Sequence, residues 1–131
     1  SRPINFSTNS LLVIAKEPLW DYCPFSYSIN VSSVNNNDYS LSGSDRNGNV
    51  NGSDPNLTFS IGDTVNFIVN ALGYPFYLKT VAGKGIGFLI SDLANNGTES
   101  GTLKWRPSKT GTFYYQCRFH NEMVGTIKII D

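Results

Sequence analysis

The 131-residue chain holds a single histidine, a single methionine and two cysteines. One histidine excludes any metal centre or catalytic pair that needs two imidazoles from the same chain. Two cysteines, Cys23 and Cys117, are too few for a disulfide framework, and they leave one bridge or two free thiols open. Excess charge of either sign is also lacking: Lys and Arg number 10, Asp and Glu number 10, and the formal net charge is zero. With no basic stripe and no run of like charges, neither nucleic acid nor a membrane surface is an expected partner. The longest apolar runs, such as Leu11-Leu12-Val13-Ile14-Ala15, are far too short to span a bilayer. The opening Ser1-Arg2-Pro3 shows no export signal.

Catalytic patterns are equally scarce. Asp92, Glu99 and Glu122 form no paired arrangement, and no Ser-His-Asp case can be built, so no enzyme is expected. The glycines of Ala82-Gly83-Lys84-Gly85-Ile86-Gly87 lack the Lys-Ser/Thr ending of a phosphate loop and read as a hairpin or loop. Asn-x-Ser/Thr triplets such as Asn56-Leu57-Thr58 arise by chance in so Asn-rich a chain and predict no glycosylation.

What the chain does have is strand pattern. Tyr27-Ser28-Ile29-Asn30-Val31 and Leu57-Thr58-Phe59-Ser60-Ile61 alternate apolar and polar residues. Val65 to Val69 follows a Gly62-Asp63 turn signal. Phe76 to Leu78, Thr102 to Trp105, Thr112 to Gln116 and Thr126 to Ile130 complete the set. Short strands separated by Gly, Asn, Asp and Pro predict an all-β sandwich or barrel. Between Asn35 and Pro55 only Tyr39-Ser40-Leu41 reads as a strand, on an edge, and the rest reads as exposed loop. Ile86 to Leu93 has room for one helical turn. Trp20 and Trp105 read as core or strand-face aromatics. Residues 1–24 form an N-terminal extension or extra strand, and residues 25–131 form the sandwich.

One segment carries chemistry: Tyr114-Tyr115-Gln116-Cys117-Arg118-Phe119-His120-Asn121-Glu122-Met123-Val124-Gly125. A strand ends at Cys117, a short loop holds His120 and Met123, and a last strand begins near Gly125. Thiolate, imidazole and thioether are soft or borderline donors that suit copper. Alone, Cys-x2-His-x2-Met also describes an ordinary core thiol and core methionine.

With its surroundings the segment resembles the cupredoxins, the plastocyanin and amicyanin group. Ile61-Gly62-Asp63-Thr64-Val65 is similar to that family's strand start, and Gly111-Thr112-Phe113-Tyr114 to its approach to the cysteine strand. The resemblance covers roughly residues 39 to 131 and implies a cupredoxin-like Greek-key β-sandwich with an N-terminal extension. It also implies Cys117, His120 and Met123 as copper ligands. The family's other histidine falls at Tyr74 or Phe76, depending on how Gly73-Tyr74-Pro75-Phe76-Tyr77 is matched, and neither is a histidine. The expectation is therefore a non-enzymatic structural or binding module with an incomplete type 1 site and no cofactor held. The alternative is an atypical copper-binding electron-transfer protein using Cys117, His120 and Met123. The Pro75-Phe76-Tyr77 and Tyr114-Tyr115-Gln116-Cys117 stretches also look like plastocyanin-like domains of marine phage and cyanobacterial proteins. That resemblance implies a virion decoration or tail-associated role, with a periplasmic or extracellular place as the alternative. Protein partners or a homo-oligomer are expected through the N-terminal segment.

Overall fold

The structure is a computed structural model that describes residues 25–131. The expectations for residues 1–24, including Trp20 and a Cys23 bridge, lie outside the described residues. Nine strands are described: β1 (Ser26–Ser32), β2 (Ser40–Asp45), β3 (Gly48–Ser53), β4 (Leu57–Ser60), β5 (Thr64–Asn70), β6 (Phe76–Lys79), β7 (Ser100–Trp105), β8 (Gly111–Cys117) and β9 (Val124–Ile130). They form a four-stranded sheet, β4-β9-β8-β6, and a five-stranded sheet, β3-β2-β1-β5-β7. β1 runs parallel to β5 and β4 parallel to β9, and the other pairs are antiparallel.

Period-2 alternation explains the packing. In β5, Val65, Phe67 and Val69 are buried while Ile68 and Asn70 face out. Ile127 and Ile129 do the same in β9. The inward residues of both sheets meet in one core that includes Phe59, Phe67, Phe76, Leu103, Trp105 and Tyr115.

Two expectations are corrected. The Asn35–Pro55 segment is not mostly loop, because β2 and β3 form a hairpin on the five-stranded sheet. β2 is an inner strand, bonded to β1 on one side and β3 on the other, and the edge belongs to β3. Strand pattern is faint there because few side chains point inward: Leu41, Asp45 and Val50 are buried among Ser, Gly and Asn. The Asp45 carboxylate accepts N–H bonds from Asn47 and Thr58, tying the hairpin turn to β4. The second correction is at Ile86–Leu93, which forms no helical turn and runs as bends and turns. Phe88 and Asp92 there hold left-handed backbone, with φ of 59° and 57°.

The end of the sandwich near Cys117 is set by register. Phe76 opens β6 directly opposite Cys117 at the close of β8. Gly125 opposes Tyr115. A Cβ on Gly125 would come within 2.2 Å of the Tyr115 ring, so this position admits only glycine while that ring lies flat across it.

Candidate metal centre

The ligand loop is a tight turn held from both sides. The Cys117 N–H donates to the Met123 carbonyl at 2.9 Å, and the Met123 N–H donates to the His120 carbonyl at 3.2 Å. Gln116, fully buried, donates its amide to the carbonyls of Cys117 (3.1 Å) and His120 (2.8 Å). Its side-chain oxygen accepts from the Gly83 N–H at 3.1 Å, which fastens the glycine-rich loop to the ligand loop. Lys84 N–H donates to Asn121 and Gly85 N–H to the Arg118 carbonyl, completing the brace.

Within this turn the Cys117 sulfur lies 3.5 Å from Nδ1 of His120. One ion bonding a sulfur at about 2.3 Å and a nitrogen at about 2.0 Å fits that span. Cys117 and Met123 are fully buried, and Cys117 is a free thiol among the described residues. His120 is half-buried, which leaves its ring at the rim. Cys117, His120 and Met123 therefore share one tight loop, and the thiol and imidazole meet there.

Among the described residues no third strong donor joins them. Among the described residues, no group of three His, Cys, Asp or Glu side chains is placed to hold a metal ion. The two positions where the family's other histidine would fall have separate fates. Phe76 turns into the core, against Tyr39 (ring centroids 5.1 Å), Phe67 (5.2 Å) and Tyr115 (5.6 Å). Tyr74 stays at the rim, with its ring 5.6 Å from the His120 ring. The Tyr74 hydroxyl donates to the Asn36 side chain at 2.7 Å, which holds the ring in place.

Tyr39 was not foreseen as part of the site. It is fully buried, and its hydroxyl bonds the carbonyls of Tyr74 (2.8 Å) and Pro75 (3.0 Å) and lies against the Cys117 sulfur. Burial first, then the neighbouring Cys117 sulfur, push its pKa far above the ordinary phenol value. A neutral phenol thus caps the sulfur and fixes the Tyr74-Pro75 backbone. The one signal of it in the sequence is an aromatic alone in a polar stretch. Gln116 left no signal, because a glutamine at the end of a strand looks like any other.

Fold and site geometry together define a cupredoxin-like β-sandwich. Comparison with solved structures supports this: the copper protein rusticyanin matches with a TM-score of 0.56 at 16% identity, covering 79% of this chain and 77% of that one. Rusticyanin in its reduced form matches at 0.56 and 17% identity, covering 79% of each chain. Rusticyanin from Thiobacillus ferrooxidans matches at 0.52 and 18% identity, covering 79% of this chain and 77% of that one. At that identity the likeness establishes the fold. No protein-family model matches the chain, and no curated protein does. No helix among the described residues is long and apolar enough to cross a membrane.

Proposed function

We propose that the chain is a non-enzymatic structural or binding module on a cupredoxin scaffold, with an incomplete type 1 copper site. One observation carries this: the place beside His120 holds the Tyr74 ring, pinned through its hydroxyl to Asn36. A type 1 site needs two imidazoles and a thiolate around copper with a weak axial donor. A phenol replaces one imidazole only by giving up its proton, and the phenolate is a harder donor. Aromatic packing needs no such loss. A place on a virion, as a decoration or tail-associated protein, rests on sequence resemblance alone.

The second reading is an atypical copper-binding electron-transfer protein. The 3.5 Å approach of the Cys117 sulfur to His120, with Met123 in the same turn, favours it. Copper bound there would supply a one-electron couple. Cys117, His120 and Met123 would hold the ion, while Gln116 and Tyr39 keep the loop and the sulfur in place.

Addition of Cu(II) to purified protein, followed by desalting, metal analysis and a visible spectrum, separates the two. The module reading expects no retained copper. An intense thiolate-to-copper band with one copper per chain would establish the second reading instead. Tyr74→His then tests the placement of the vacancy. It should create or strengthen the band, whereas Phe76→His, whose ring turns into the core, should not.

A further inference from the structure

A groove of about 580 Å³ lies between the 89–93 stretch of the long β6–β7 connection and the 104–109 stretch that leaves β7. Register puts it at the far end of the molecule from the ligand loop. Trp105 pairs with Val65 at the start of β5, whereas Cys117 pairs with Phe76 beyond the end of β5.

Its charge is uneven. Lys104 on β7 and Arg106, the residue just past its end, are both exposed, while Leu103 and Trp105 are buried. Lys109 adds a third cation from the following turn, and Asp92 is the only carboxylate in the lining. The chain as a whole is neutral, so a local excess of two positive charges is a property of this groove. Hydroxyls of Ser91 and Ser108 also line it, and the edge-to-face Trp105–Phe113 pair, 5.3 Å between centroids, forms its apolar part.

The wall that carries Asp92 is braced. Asn96 grips Leu78 through both N–H and carbonyl, at 2.7 and 3.1 Å. Asn95 donates to the Thr102 carbonyl at 2.9 Å, and the Ile90 N–H donates to the Leu78 carbonyl at 3.0 Å. The connection is thus fastened to an edge strand of each sheet. Both Asp92 and Asn95 hold left-handed backbone, at φ 57° and 62°. Asp and Asn enter this region more readily than other non-glycine residues, as the turns of this connection require.

We propose that this groove binds an acidic saccharide bearing carboxylate or sulfate groups. The cations meet the acidic groups, and Asp92, Ser91 and Ser108 meet ring hydroxyls. A nucleic acid fits poorly, because Trp105 is only 5% exposed and offers no flat ring on which a base could stack. The groove's volume suits a few sugar rings. The proposal is independent of whether copper binds at the other end.

Calorimetric titration with a heparin-derived hexasaccharide and with an oligogalacturonate tests it. Both should bind, and neutral maltohexaose and inorganic sulfate should bind far more weakly. Lys104→Ala with Arg106→Ala should weaken binding roughly tenfold. Lys84→Ala with Arg118→Ala removes the same charge at the ligand-loop end and should change little. Asp92→Asn should weaken the saccharide although it adds positive charge. Equal loss in both double variants, or sulfate binding as well as the oligosaccharides, would overturn the proposal, as would tighter binding by Asp92→Asn. The unmodified protein gives an independent readout: NMR shifts at the Trp105 indole and Phe113 amide are expected on titration, and their absence refutes the site.

Discussion

The two ends of this sandwich each hold an aspartate, fully buried at one end and half-buried at the other, and the two are treated in opposite ways. At the β4–β5 turn, Asp63 is fully buried and surrounded by donors: Arg46 through Nε at 3.0 Å and a second nitrogen at 2.8 Å, and the N–H groups of Ser60 (2.8 Å) and Phe25 (3.1 Å). Burial alone would push its pKa up, but these donors together outweigh burial and hold it below the ordinary carboxylate value. At the ligand end, Asp54 has one such donor, the Tyr39 N–H at 2.9 Å. Burial, helped by nearby Asp38, overrides that bond and raises Asp54 to about 6. One end is closed around a satisfied charge. The other holds its polar groups in low polarity around a thiol, an imidazole and buried tyrosines.

The largest effect should come from breaking the satisfied end. Asp63→Ala strands the Arg46 guanidinium and two N–H donors, and should cost about 3 kcal/mol of unfolding free energy by chemical denaturation. The pH dependence has a definite sign. Asp63, depressed in the folded state, gives stability that is present above the unfolded carboxylate pKa near 4 and is lost as pH falls through its folded value. Asp63→Ala should therefore remove much of the acid sensitivity of the wild-type chain.

A somewhat smaller effect is expected from crowding the other end. Gly125→Ala drives a methyl group into the Tyr115 ring and should cost about 1–3 kcal/mol. Tyr115→Leu should recover part of that cost in a double-mutant cycle. Additive losses would show that the ring is not what Gly125 accommodates.

How much of this was legible depended on where the information lay. The alternating strands were readable because Val, Ile, Phe and Tyr at period 2 are needed to fill the core between two sheets. The Cys117–Met123 loop was readable because its three donors are local in sequence. β3 was not, since Gly48-Asn49-Val50-Asn51-Gly52-Ser53 sends only Val50 fully inward and is a strand by virtue of its pairing with β2. The choice between Tyr74 and Phe76 also required three dimensions. Adjacent to Pro75 on either side, the two differ in whether the backbone turns the ring toward His120 or toward Phe67. Tyr39 belongs to the site through a hydroxyl that reaches carbonyls distant in sequence, and no local motif encodes that reach.

Tyr39→Phe tests that reach with a smaller perturbation. It keeps the ring and removes one hydroxyl, leaving the Tyr74 and Pro75 carbonyls without that donor. The expected cost is about 1–2 kcal/mol. Faster hydrogen exchange should appear at the Arg118 N–H, which donates to the Pro75 carbonyl at 3.2 Å, ahead of any change in β5. Uniform acceleration throughout the molecule would instead mean that Tyr39 serves the core generally.

The smallest expected effect is the one that bears most directly on the contrast between the two aspartates. Because Asp54 is raised in the folded state, it favours folding fully only below the unfolded carboxylate pKa near 4. That contribution is lost as pH rises through about 6. Its sign opposes that of Asp63, and the two act in adjacent windows, Asp63 below about pH 4 and Asp54 between about pH 4 and 6. Asp54→Asn keeps an oxygen for the Tyr39 N–H while removing the titration, and should flatten the decline in stability between roughly pH 4 and 6. Denaturation midpoints of the wild type and the variant across that range decide the matter. A slope unchanged by the substitution would show that Asp54 is as well solvated as a surface carboxylate. The opposition between the two ends would then rest on Asp63 alone.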